Sequence, residues 1–271
     1  MVRALSRPLL VAASLAAAAA PLEVRADPRE LHHDLATDGA IAAGGWLLWL
    51  SSELAKEHLA PERCRFCDTN ALDAGTRDLL VWERADRGAR GADVLAYALL
   101  PSGMVAHQLL AARGAGDGDA GLVDALLVAE ATAIAMNLNQ IVKFAVGRQR
   151  PFVHYGTEGD RPPDSDDNLS FYSGHTTFAF ALAASAATIS DLRGYESAPW
   201  VWGVGMTLAT ATGYLRIAGD KHYLTDVLVG AAMGLAVGVA VPRALHGRKD
   251  GGEDPSSVRI TALPLGVAFQ F

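Results

Sequence analysis

Basic runs are missing from this 271-residue chain, and charge of any kind is scarce: 23 Lys and Arg stand against 30 Asp and Glu, for a net charge of −7. Phosphate backbones are gripped by clustered cations, so this balance argues against nucleic acid as a partner. Cysteine is limited to Cys64 and Cys67. A C-R-F-C stretch is as readily a small disulfide loop as half a metal site. No second pair is present to complete a zinc cage, which favours the disulfide. Strand-like alternation is absent before residues 258–271, and two short strands are too few for an outer-membrane barrel. Aromatics are 7% of the chain, whereas apolar residues are 51%. That composition lies between a soluble globule and a polytopic membrane protein.

What the chain does have begins with residues 1–26, ordered like a secretory signal. Arg3 and Arg7 precede an apolar stretch from Pro8 to Ala20, and Val24-Arg25-Ala26 offers a small-residue cleavage site. Export to the periplasm or cell envelope is therefore expected. Six apolar segments of helical character follow, near 38–55, 93–112, 121–146, 174–190, 197–216 and 222–242. They predict an all-α, six-helix bundle over residues 27–247. Gly, Pro and charge mark residues 248–257 as a linker, and 258–271 alternate around Pro264-Leu265-Gly266 as a short β-like tail. Val94–Ala112 and Ser197–Leu215 are uncharged and long enough for a bilayer, which takes roughly 20 residues; Gly39–Ser52 falls short. The third segment carries Asp124, Glu130, Asn137, Asn139 and Gln140, a polarity suited to a protein interior. An exported bundle that packs largely in the periplasm, with an outward-facing site and membrane association left open, is expected rather than six full spans.

Chemistry gathers in three stretches. In Arg216-Ile-Ala-Gly-Asp-Lys-His222-Tyr-Leu-Thr-Asp226, a helix starting near His222 would put Asp226 one turn on along the same face. A carboxylate there fixes the imidazole tautomer and stabilises positive charge, which makes the histidine a nucleophile. In the second stretch Lys143 and Arg150-Pro151 end the third helix, and in the third Ser173-Gly174-His175 opens the fourth. Lys143, Arg150 and Arg216, the Ser173 hydroxyl and free N–H groups at a helix start would converge on a phosphate-sized anion, with a histidine on each side. Glycines 230, 234 and 238 continue the four-residue rhythm of His222 and Asp226 and invite close approach of another helix.

These stretches resemble the three signature motifs of the type 2 phosphatidic acid phosphatase and vanadium haloperoxidase superfamily. K-x6-R-P is matched by Lys143, Arg150 and Pro151. P-S-G-H becomes Tyr172-Ser173-Gly174-His175, and S-R-x5-H-x3-D is matched at Arg216, His222 and Asp226 with Leu215 in place of Ser. The resemblance covers about residues 90–242. It implies a helical bundle with a phosphatase site that needs neither metal nor cofactor. His222, oriented by Asp226, would form a phosphohistidine; His175 would protonate the leaving oxygen and then activate water. Lys143, Arg150, Ser173, Gly174 and Arg216 would bind phosphate. Lipid phosphates, prenyl diphosphates and soluble phosphoesters all offer the same anion. His154, Tyr155 and the run Asp164–Asp167 lie between motifs, where they could select a substrate, though a solvated loop is the expectation for the acidic run. A vanadate-dependent haloperoxidase and a non-catalytic envelope protein keeping the fold are the alternatives.

Overall fold

The computed structural model describes residues 30–249 and the backbone of two strands at 259–263 and 266–270. The signal and most of the linker lie outside the described residues. In chain order the elements are α1 (Leu35–Leu54), α2 (Lys56–Leu59), α3 (Ala71–Leu80), α4 (Ala85–Val94), a π-helical stretch (Leu95–Leu99), α5 (Leu100–Gly114), α6 (Ala120–Val146), α7 (Pro151–His154), α8 (Gly174–Arg193), α9 (Ala198–Ala218), α10 (Leu224–Leu245), β1 (Arg259–Leu263) and β2 (Gly266–Gln270). All six apolar segments are long helices, the second extended backwards so that α4, the π-helical stretch and α5 form one 30-residue rod. Helices α2, α3 and α7 are additions that hydropathy did not mark. Two boundaries differ from expectation: the rod starts at Ala85, and α10 starts at Leu224, leaving His222 in the loop before it. In the tail, β1 and β2 pair antiparallel, with Ile260 opposite Phe269 and Leu263 opposite Gly266.

Side chains fix the helix ends. Asp34 caps α1 by accepting the Thr37 N–H at 2.8 Å, and Asn70 caps α3 through the Asp73 N–H at 2.9 Å. Helix α6 stops at Gly147, whose φ of 61° is left-handed and whose N–H returns to the Lys143 carbonyl at 3.0 Å. A Cβ there would lie 3.0 Å from Pro61, so position as well as conformation favours glycine. The Cys64–Cys67 pair is disulfide-bonded. Its loop braces the turn after α6: Arg65 N–H reaches Gly147 O at 2.9 Å, and Gln149 N–H reaches Phe66 O at 3.0 Å.

Helix α8 is the centre, buried on almost every side and rich in alanine. Helix α10 lies against it through the glycine series. Added Cβ atoms at Gly230, Gly234 and Gly238 would fall 2.8, 2.5 and 2.7 Å from the carbonyl oxygens of Ser173, Thr177 and Ala181. The polar residues of α6 have partners inside the protein: Asp124 pairs with Arg193 and accepts from Tyr195 Oη at 2.7 Å, Gln140 donates to Glu53 at 2.6 Å, and Asn137 donates to Gly45 O at 2.8 Å. Among the described residues, three helices are long and apolar enough to cross a membrane: the rod Ala85–Gly114, α6 and α10. Helix α9, whose uncharged run also suggested a span, is not one of them. Because α6 and α9 finish where α8 and α10 begin, all three motif stretches meet at one end of the bundle.

Candidate functional site

Lys143 sits one turn before the end of α6. It is buried and makes no hydrogen bond or ion pair with any described residue. Opposite it, Gly174 opens α8; a Cβ there would come within 3.2 Å of Lys143 Nζ and 3.1 Å of Asn139 Oδ1. Asn139 keeps the preceding turn in place by donating to Tyr172 O at 2.8 Å. Ser173 is fully buried as the α8 cap, its Oγ accepting from Thr176 Oγ1 at 2.9 Å. Arg150 donates from Nε to Asp166 O at 2.8 Å and from Nη2 to Asp166 Oδ2 at 2.5 Å, which turns Nη1 to within 3.3 Å of His222 Nε2. Arg216, at the end of α9, has Nη1 3.5 Å from Asp93 Oδ1 and a buried Nε with no partner among the described residues. An anion placed among Lys143, Arg150 and Arg216 would therefore meet N–H donors that the fold has not already used.

The two histidines differ from each other in support. His222 Nδ1 lies 3.6 Å from Asp226 Oδ2, in ion-pair range but beyond a hydrogen bond. Asp226 is not dedicated to His222: it accepts from Arg148 Nη1 at 2.6 Å, Ser170 Oγ at 2.5 Å and the Tyr223 N–H at 3.0 Å. Arg148 in turn pairs with Asp73 at 2.7 Å, and Asp73 receives the Thr225 N–H at 2.9 Å. His175 Nε2 lies 2.7 Å from Asp93 Oδ1, and the ring sits 4.7 Å from that of Tyr97. Burial, followed by Arg150, Arg216 and Lys143, pushes His222 well below the ordinary histidine value. Burial and Arg216 push His175 down to about 3, against the opposing pull of Asp93.

The loop residues part company. His154, the last residue of α7, and Tyr155 just after it are exposed, and Arg77 stacks over Tyr155 at 3.8 Å. The acidic run is not a merely solvated loop. Asp166 pairs with Arg150 and with Lys56, and Asp167 with Arg161. Desolvation would raise the Asp166 pKa, but Arg150, Lys143 and Lys56 outweigh it and hold the carboxyl far below the usual range. Motif reasoning passed over Arg148, although it stands between Lys143 and Arg150 and is conspicuous as a buried cation. It had no means of finding Asp73 or Asp93, which arrive from α3 and α4.

Residues 124–250 match the sequence model of the PAP2 superfamily. This stretch, just under half of the chain, resembles that superfamily. It contains every motif residue above, while Asp73, Asp93 and Tyr97 precede it. Over 115 residues the chain is 35% identical to the lipid A 1-phosphatase of Porphyromonas gingivalis, a match covering 42% of this chain and 22% of that protein. The chain thus spans about a fifth of the length of this curated relative. Among solved structures, it is similar to a transmembrane PAP2-type phosphatidylglycerolphosphate phosphatase from Bacillus subtilis at a TM-score of 0.47 and 20% identity, covering 74% of this chain and 94% of the other.

Proposed function

We propose that this protein is an exported, membrane-associated phosphatase that hydrolyses lipid phosphates or prenyl diphosphates through a phosphohistidine. The observation that carries the proposal is the Lys143 ammonium, unpartnered among the described residues and set beside Gly174, whose charge acts with those of Arg150 and Arg216 on His222. In the first step His222 Nε2 forms a bond to phosphorus as the bond to the leaving oxygen breaks, and His175 gives that oxygen a proton. In the second, His175 takes a proton from water, the water oxygen bonds to phosphorus, and the P–N bond breaks. Lys143, Arg150 and Arg216 offset charge on the equatorial oxygens, with Ser173 and the Gly174 N–H closing the cradle. Asp226 acts with Arg148 to hold His222 in place.

Lipid substrates are favoured over soluble esters by the surface next to His175. The rod leaves Val94, Tyr97, Leu99 and Val105 between 43% and 53% exposed, an apolar approach that begins at the site itself. The test is phosphate release by purified protein from a panel of lipid A, phosphatidylglycerol phosphate, undecaprenyl diphosphate and p-nitrophenyl phosphate. Turnover is expected with the lipids, and an acid-labile phosphoenzyme should form in wild type and be absent from His222→Ala. His175→Ala should form it and lose it slowly, about 10²–10⁴-fold below wild type in turnover. Full activity of His222→Ala, or no release from any lipid, would overturn the assignment.

A further inference from the structure

A second polar cluster lies far from the phosphate site. Glu130 is thirteen residues before Lys143 on α6, about 20 Å along the helix at 1.5 Å per residue. There it meets Asp38 from the first turn of α1 and His246 from the end of α10. All three are buried, at 0%, 6% and 2% exposure, and one ligand atom of each lies within 4.8 Å of the others.

Hydrogen-bond roles expose what is missing from this cluster. His246 Nδ1 is 3.1 Å from His32 O, and a carbonyl only accepts, so Nδ1 carries the proton. In a neutral ring Nε2 then presents a lone pair, and it faces Glu130 Oε2 at 3.1 Å. Glu130 Oε1 is buried with no partner among the described residues. One oxygen of Asp38 is occupied by the Asp34 N–H at 2.8 Å. A proton on Nε2 would serve one carboxylate oxygen and leave the second carboxylate uncompensated. A divalent cation would balance both carboxylates and accept the imidazole lone pair. The bond from Nδ1 to a backbone carbonyl is the support that metal-bound histidines usually have.

We propose that Asp38, Glu130 and His246 bind a divalent transition cation of the zinc class, which joins the first and last helices of the bundle to α6. Imidazole and carboxylate oxygen suit zinc, and since two atoms bound to one ion at about 2.0–2.2 Å lie no more than about 4.4 Å apart, a trio within 4.8 Å needs only a small inward movement to share one. The surroundings explain the placement. The stretch before α1 runs beside the stretch after α10, with His32 N–H on Gly247 O at 3.0 Å and Lys249 N–H on Glu30 O at 2.9 Å. A cation here fastens that crossing to the middle of α6.

The experiment uses the full-length protein purified in detergent, stripped with chelator, reloaded with Zn²⁺ and dialysed. Elemental analysis should find about one zinc per chain, and the melting temperature should fall on stripping and return on reloading. Glu130→Gln and Asp38→Asn should hold no zinc and melt at a temperature indifferent to chelator. Wild-type protein that retains no zinc after reloading, or variants that retain as much as wild type, would overturn the proposal. If neither variant folds, calorimetric titration of stripped wild type with Zn²⁺ decides it alone: one saturable site supports the proposal and no binding refutes it. Vanadate affinity, read in parallel below the melting temperature, should be the same in stripped and loaded protein, which separates this cluster from the phosphate site.

Discussion

At neutral pH His175 is neutral in the free protein, because burial and Arg216 hold its pKa near 3. A general acid must carry a proton, so the substrate has to restore it. A bound phosphate anion would offset Arg216 and Lys143, and with Asp93 already pulling upward the imidazolium becomes accessible. Asp93→Asn removes that pull. The His175 pKa should fall further, and since activity is lost as the acid gives up its proton, the alkaline limb of kcat should move to lower pH. At pH 7 the loss should reach roughly 10²-fold. Stability should change by less than about 0.5 kcal/mol, because the Asp93 side chain is 52% exposed. An unmoved limb would show that Asp93 does not act on His175. The same depressed values set a folding trend. From about pH 6.5 down towards 3 the unfolded chain binds protons that folded His175 refuses, so stability present above pH 6.5 is lost as pH falls. The motif residues were visible in the sequence because cations and histidines stand out in an apolar chain. Asp93 was not, since a single carboxylate opening an apolar run looks like a helix-end charge.

Helix α3 shows where periodicity stops being informative. The six long helices were legible because each is a long apolar run, whereas α3 contributes to the interior chiefly through Asp73, a residue that no hydrophobic pattern marks. Its carboxylate holds Arg148 at 2.7 Å and both the N–H and Oγ1 of Thr225, so it links α3, the turn after α6 and the start of α10. Asp73→Ala strands a buried guanidinium on one side and should cost about 3–5 kcal/mol. It should also slow turnover, because Arg148 positions Asp226 beside His222. Asp73→Asn keeps acceptors for Thr225 and should recover part of the stability. Chemical denaturation of the two variants measures this; equal stability of Asp73→Ala and wild type would mean that the α3 link is dispensable. The start of α10 was misjudged by two residues for a related reason. Asp226 accepts the Tyr223 N–H, which sets the first turn after His222 instead of on it.

Taken as a whole, the bundle has one end for phosphate and, as proposed above, another for a cation. The sequence made the first legible through motifs and left the second invisible, because Asp38, Glu130 and His246 are more than a hundred residues apart in places and share no spacing. Three helices that satisfy the length and hydropathy of a span, with the rod and α10 largely unburied, lead us to expect the protein in the membrane fraction, resisting alkaline wash and released by detergent. Recovery in the soluble fraction would refute that. The two-ended arrangement also separates two effects of chelation. At the phosphate end fixed positive charge comes from Lys143, Arg150 and Arg216, and the neighbouring carboxylates are already matched: Asp166 to Arg150 and Lys56, Asp226 to Arg148. Among the described residues no cluster of unmatched carboxylate oxygens remains there to hold Mg²⁺. EDTA should therefore leave the rate unchanged at temperatures where the protein stays folded, while lowering the temperature at which it melts. Vanadate, which takes the five-coordinate shape of phosphoryl transfer, should inhibit more tightly than phosphate and equally in stripped and loaded protein. Loss of activity in EDTA well below the melting temperature, restored by Mg²⁺, would show that a metal takes part in the chemistry and that the three cations are not sufficient for it.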